Sequence, residues 1–330
     1  MNLSRFLHFG RSGSGTLRHG FALTPRGVAY AAVRHLKTGF AIESLRYEST
    51  EDVSPQTLLR GMSQQFKLKK AAAVMVIPQS LYTLKIIESP NVPPEEMRDA
   101  VRWKVKELID FPVESAIFDL FSIPGQAERK RQLMHYVVIA EQKKLQAQVD
   151  LFDQAQIGLE VIDIQEMALR NLVANTIGDE NGIALIYLGE RHGEITITYQ
   201  GELYLSRDLS LGCEQIVELI NATADEQQPV EEGVLALEVQ GLVDKIVLEV
   251  QRSLDYYSSS FGLPPISTIL LAPLLCPIEG LTSYLSESIG ITTHKIDFNQ
   301  LFQISAQEPP GEKLQAQCLM ATAVALRPFE

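Results

Sequence analysis

Residues 182–212, GIALIYLGERHGEITITYQGELYLSRDLSLG, alternate apolar and polar side chains in three short runs, broken at Glu190–Gly193 and Gln200–Gly201. A period of two with glycine-bearing breaks is the signature of consecutive antiparallel strands. The same plan occurs once earlier. Residues 18–50, RHGFALTPRGVAYAAVRHLKTGFAIESLRYEST, read as three strands with turns at Thr24–Gly27 and Lys37–Gly39. Two such runs, one opening each half of the chain, predict an internal duplication: two similar α/β lobes facing a cleft.

The segments after each run complete the lobes. PQTLLRGMSQQFK (55–67) has helical spacing, and AAAVMVIP (71–78) and LYTLKIIESP (81–90) read as strands. VPPEEMRDAVRWKVKELIDFP (92–112) opens on prolines and acids that suit a helix N-terminus and closes on Pro112. Met97, Val101, Val105 and Leu108 make its apolar stripe. AIFDLFSIP and QLMHYVVIA predict a hairpin around the charged loop GQAERKR, followed by helix 141–156, strand 159–165 and a helix closed by Gly178. In the second half come helix 213–225, the acidic loop EQQPVEEG, a long helix to Gly262, strand 267–273, helix 279–290, strand TTHKID and a closing helix.

A chain of 330 residues, 45% hydrophobic, can bury more than one core. A net charge of −12 excludes a general nucleic-acid binder, which needs a clustered basic face. Charge is uneven: no acid precedes Glu43, whereas Arg5, Arg11, Arg18, Arg26, Arg34 and Lys37 do. Residues 1–19 read as a basic, solvated arm. Attraction of that arm to an anionic lipid surface, worth about 1 kcal/mol per basic residue, is the sharper alternative. Cys213, Cys276 and Cys318 lie far apart and read as buried thiols of a reducing compartment. No stretch approaches the roughly 20 apolar residues of a membrane span, and the N-terminus lacks the apolar core of a secretory signal.

Motifs for chemistry are missing. GRSGSG (10–15) has no strand before it and so is not a nucleophile elbow. Neither a phosphate-binding G-x-x-x-x-G-K-[ST] nor a dinucleotide-binding G-x-G-x-x-G occurs. His135 and His192 have no second ligand near them in sequence, so no metal site is assigned. Asp119, Asp163 and Asp255 read as structural rather than as acid–base pairs.

Four stretches in order nevertheless point to a family: IPQSLYTLKIIESPNVPPEEMRDAVRWKVKELIDFPVESAIFDL, EITITYQGELYLSRDLSLG, EVQRSLDYYSS and the ending ATAVALRPF. With these, nearly all of the chain after about residue 20 resembles the PilM family, actin-like proteins of type IV pilus assembly. The resemblance implies an actin/hexokinase-type two-lobe fold. A first lobe over 20–178 carries a small α/β subdomain inserted at about 75–145. A second lobe spans 179–330, with a closing helix, 312–327, that packs back on the first.

Members of that family typically bind ATP through a glycine-containing turn in each lobe and a glycine pair against the adenosine. Such turns need small residues so that backbone N–H groups can approach phosphate, and an aspartate for magnesium or its water. This sequence departs at every place. Ala22 stands for the first acid and Thr24 for its glycine, with Pro25 removing a donor. Tyr187 replaces the second acid, leaving Gly189; the later glycine pair is Gly212-Cys213; the adenosine pair is Pro273-Leu274. Leu274 and Leu275 are expected to project where a ribose or purine would lie.

The resemblance therefore implies a non-catalytic scaffold, a pseudo-ATPase without cofactor, on the cytoplasmic side of the inner membrane. Its partner is a PilN-like bitopic protein whose short cytoplasmic N-terminal peptide enters a groove beside the inserted subdomain, and self-association is left open. Met97, Arg102, Trp103, Phe111 and Pro112 are the candidate contacts, with Trp103 read equally well as core. Three alternatives stay open. One is an active ATPase whose Mg-ATP state controls partner binding or polymerisation. The others are a small-molecule kinase of the same fold and a type II secretion component, which normally continues into a transmembrane helix.

Overall fold

The computed structural model describes residues 16–69, 71–124, 133–177, 180–223, 237–305 and 308–328. The expected hairpin loop, the acidic loop, Gly178 and most of the basic arm lie outside the described residues. The end of that arm is strand, since β1 starts at Leu17.

By its internal contacts the chain divides into two compact units: Met1–Thr38, Arg46–Ala168 and Met320–Glu330 form one, Gly39–Leu45 and Leu169–Leu319 the other. The division falls inside a helix, ahead of the 178/179 boundary expected from sequence, and the last segment groups with the first unit.

In chain order β1 (Leu17–Thr24), β2 (Gly27–His35) and β3 (Phe40–Ser49, grouped with the second unit up to Leu45) run in succession, followed by α1 (Pro55–Gln65) and β4 (Ala73–Val76). After an insert, α3 (Gln142–Gln154), β8 (Leu159–Asp163) and α4 (Gln165–Thr176) follow. The sheet order is β3-β2-β1-β4-β8, with β4 parallel to both neighbours. In the second unit β9 (Ile183–Leu188), β10 (Gly193–Tyr199) and β11 (Glu202–Leu209) lead, then α5 (Cys213–Thr223) and α6 (Leu237–Phe261). β12 (Thr268–Leu271), α7 (Leu281–Ile289) and β13 (Thr292–Lys295) complete a sheet ordered β11-β10-β9-β12-β13. An antiparallel meander extended by two parallel strands thus occurs twice, as the alternating stretches predict.

Two short elements, α8 (Phe298–Leu301) and β14 (Gln303–Ile304), had no sequence signal; β14 pairs in parallel with Ala41 and Ile42 of β3. The single closing helix expected over 312–327 is two helices, α9 (Glu312–Gln317) and α10 (Leu319–Ala325), with Cys318 capping the first.

Both faces of the first sheet are covered, by different chemistry. Phe21 and Tyr30 point to one side, where Phe152 meets Phe21 edge-on at 5.3 Å and Phe66 stacks on Tyr30 at 4.4 Å. The other side carries Gly20, Ala22, Ala29 and Ala31, paired Gly20↔Ala31 and Ala22↔Ala29. This strip of small residues lets α10 come close: a Cβ on Gly20 would lie 1.9 Å from the Ala321 carbonyl oxygen and 2.9 Å from Ala325 Cβ. Polar contacts hold the helix there. His35 Nε2 lies 2.8 Å from Ala325 O, and Arg18 donates to the carbonyls of Arg327 and Pro328 at 2.9 and 3.1 Å. Arg327 pairs with Asp163 at 2.7 Å, both side chains buried.

The insert follows β4. β5 (Tyr82–Glu88), α2 (Met97–Lys106), β6 (Ala116–Ser122) and β7 (Met134–Glu141) form a three-stranded antiparallel sheet, β5-β7-β6. Val101 and Val105 of α2 close a small core with Ile87, Phe118, Val137 and Ile139. The helix stops at Lys106, so Leu108 falls outside the expected stripe and is 36% exposed.

Gly20→Ala should cost about 3 kcal/mol of stability, read from the denaturant midpoint, because the helix backbone has to retreat. Gly61→Ala, in exposed α1 with open space around its Cβ, should instead stabilise by about 0.5–1 kcal/mol.

Candidate functional site

The first turn, between β1 and β2, is closed on itself. Thr24 Oγ1 accepts the N–H groups of Arg26 and Gly27 at 3.3 and 3.0 Å, and donates to Gly27 O at 3.1 Å. The two amides best placed to meet an incoming anion therefore already have an acceptor from the chain. Thr50 fastens the turn from outside, through Pro25 O and Arg26 O, each at 3.0 Å. Ala22 is buried and pairs with Ala29, with no carboxylate at its position.

The second turn, between β9 and β10, lies against the start of α5. Gly189 O accepts Cys213 N at 2.7 Å, and Glu190 O accepts Glu214 N at 2.8 Å. Gln215 ties both sides, taking Gly212 N at 3.0 Å and donating to Arg191 O at 2.9 Å. A helix N-terminus draws anions only while its first amides are free, and here turn carbonyls hold them. Gly212 is required for this packing, since a Cβ there would lie 2.5 Å from Glu190 O. The Cys213 thiol donates to Leu188 O at 3.3 Å, and burial pushes its pKa up to about 11. Tyr187 is held above its ordinary range, first by burial and then by Cys213, Glu194 and Glu190. Cys213 and Cys318 are buried as the sequence predicts, while Cys276 is part-exposed.

The third segment corrects an expectation. Leu274 does not project toward a ligand: it is 4% exposed and belongs to the second unit's hydrophobic core, beside Leu271 and Ile278. Ala272 N bonds Ile186 O at 2.9 Å and Pro273 is buried, which draws the loop inward; Leu275 is half-buried. An apolar residue following a buried strand obeys its own unit's core first.

On the insert, Trp103 is 73% exposed, which settles that it is not core. It stands on the opposite side of α2 from Val101 and Val105, with Lys106 Nζ 5.9 Å from its ring centroid. Arg102 lies over the Phe118 ring at 5.6 Å, and Arg98 over the same ring at 5.3 Å. Met97 and Phe111 pack on the insert's own core, while exposed Pro112 opens a 3-10 turn. The structure thus does not gather the five candidates into one surface: Trp103 faces water and Phe111 faces inward. Sequence reasoning missed Phe118, which seats both arginines; the alternation in AIFDLF is the signal for it.

Among the described residues no group of three or more His, Cys, Asp or Glu could hold a metal ion, and no helix is long and apolar enough to cross a membrane.

Two repeated β-meander sheets, each extended by parallel strands, with a small α/β insert in the first, define an actin-like fold. The sequence profile described as Type IV pilus assembly protein PilM matches residues 28–329, and the chain belongs to that family. A solved structure titled as a PilM–PilN type IV pilus biogenesis complex is similar, with a TM-score of 0.71 at 18% identity over 95% of this chain and 98% of that chain. A Bacteroides thetaiotaomicron protein with an actin-like ATPase fold gives 0.48 at 10% identity, covering 92% and 96%. The ethanolamine utilization protein EutJ from Carboxydothermus hydrogenoformans gives 0.47 at 12%, covering 97% and 92%.

Trp103→Ala should leave the unfolding midpoint within about 0.5 kcal/mol of wild type. Phe118→Ala should lose about 3–5 kcal/mol, since it empties the insert's core.

Proposed function

We propose that this chain is a non-catalytic scaffold of type IV pilus assembly, of the MshI type that serves the mannose-sensitive haemagglutinin pilus. In this reading it sits at the cytoplasmic face of the inner membrane. It binds the short cytoplasmic N-terminal tail of a PilN-like bitopic partner and turns over no nucleotide.

One observation carries the pseudo-ATPase part. The amides of Arg26 and Gly27 in the first turn and of Gly212, Cys213 and Glu214 beside the second are engaged within the chain, and Ala22 and Tyr187 stand where acids for magnesium would be needed. A triphosphate would have to displace Thr24 Oγ1 in one turn and two carbonyls in the other, with no carboxylate to hold its metal. Support for the partner comes from family membership and from the PilM–PilN complex to which the chain is similar. The exposed Trp103 beside Lys106 is the kind of aromatic–basic pair that anchors interface centres. A tail held this way gains affinity from burial and needs no chemistry.

The glycines kept at 189 and 212 and the exposed Arg26 beside the first turn favour a second reading, an ATP-binding protein whose nucleotide state governs partner binding. The two separate in one measurement. A ligand at a hundred times its dissociation constant stabilises by about 2.7 kcal/mol. Under the scaffold reading Mg-ATP leaves the melting temperature unmoved, while immobilised partner tail captures wild type and loses Trp103→Ala and Arg102→Glu. A clear Mg-ATP shift establishes the second reading, and undiminished capture of both variants removes the α2 contact.

A further inference from the structure

The insert's sheet has two edge strands, and they are treated differently. Register decides which backbone groups face outward. Ser89 N bonds Leu133 O, so Thr83, Lys85 and Ile87 bond to β7, and the N–H and C=O of Leu84 and Ile86 point away from it. Ile123 N bonds Met134 O, which by the same parity turns the main chain of Phe118 and Leu120 outward on β6.

The β6 edge is partly blocked at its centre. Arg98 lies 3.5 Å from Phe118 O, and Asp119 accepts Leu120 N at 2.9 Å. On β5 only the ends are closed, by Tyr82 N bonded to Gln79 O and by Lys104 Nζ at 2.8 Å from Glu88 O. Among the described residues the main-chain groups of Leu84 and Ile86 have no partner. Edges of this kind normally carry bulges, prolines or covering side chains, because an open ladder recruits another strand. Ile86 is 41% exposed beside this gap.

We propose that the open edge of β5 receives an extended segment of another protein as a fourth strand, one that alternates apolar with acidic side chains. Leu84 and Ile86 face one side of the sheet and give the apolar residues a surface. Lys85 lies between the open rungs on the other side, exposed, and Lys104 reaches the edge from α2 on that same side. Carboxylates at alternate positions meet these two ammonium groups.

A second copy of this chain fits worse. Antiparallel pairing of β5 with itself about Lys85, which uses both open rungs, sets Lys85 directly opposite its own copy, and like charges so placed repel. Shifting the axis to Ile86 calls on Glu88 O, already held by Lys104; shifting it to Leu84 calls on Tyr82 N, already held by Gln79. This edge is separate from the outer face of α2, so the proposal stands or falls independently of the tail contact at Trp103.

The test uses the full-length protein and a synthetic peptide of about eight residues alternating valine and glutamate. Fluorescence anisotropy measures its binding to wild type, Ile86→Pro, Lys85→Glu and Trp103→Ala. Proline at 86 removes an outward N–H and no bond to β7, so the fold is kept and the rung is lost. Wild type and Trp103→Ala should bind alike. Ile86→Pro should bind at least about tenfold more weakly with its melting temperature unchanged, and Lys85→Glu should also weaken. Amide exchange at Leu84 and Ile86 should slow when peptide is added. No binding to wild type, equal binding by Ile86→Pro, or equal binding of a valine–lysine peptide overturns the proposal. Self-association of wild type that Ile86→Pro abolishes overturns it too, by giving the edge to a second copy.

Discussion

The approach of α10 to β1 at Gly20 is the constraint on which the first unit depends. Helix and strand meet so closely that the contact admits no side chain on the strand, and the surrounding row is alanine for the same reason. Such a contact gains dispersion energy over many atoms but tolerates no misfit. It is fixed by the buried pair of Arg327 and Asp163 and by Arg18 on the carbonyls just past the helix. A buried pair need not favour folding over apolar residues, yet losing one partner strands a charge at about 3–5 kcal/mol. The pair therefore acts chiefly as a register pin, admitting one seating of the helix. Asp163 belongs to that structural device, the role its sequence context predicts.

Where the backbone donors go is the second organising fact. An anion-binding turn keeps N–H groups in reserve, pointing at empty space. In the first turn the Thr24 hydroxyl takes the amides of Arg26 and Gly27, and beside the second the carbonyls of Gly189 and Glu190 take the first amides of α5. Gly212 is required there by close packing, since a Cβ would meet the Glu190 carbonyl. The loop after β12 is shaped by packing, its Leu274 drawn into the second unit's core.

The meanders were legible in the sequence because alternation over three runs, punctuated by glycine, has one simple solution. The insert's helix and strands were legible one by one, while their standing as an inserted subdomain came from the family resemblance. What the sequence hid was short or tertiary in origin. α8 and β14 are too brief for periodicity to register. The contact of α10 with Gly20 is tertiary, and no local propensity encodes it. Trp103 could not be placed, because a lone aromatic on a helix reads the same whether it faces core or water. Leu274 was misread for a related reason: the loop's place in the fold was known, while the direction of its side chain depended on packing.

The first unit is sewn from segments far apart in sequence, with early strands and a late helix. A ribosome emits the sequence in one direction only. Until the segment from Met320 onward has left the exit tunnel, Gly20 and its alanine row have no cover, and Asp163 lacks its guanidinium. Chains of this kind usually fold their leading part during synthesis. In this one the leading sheet stays uncovered on that face while the residues between β2 and Met320 are made.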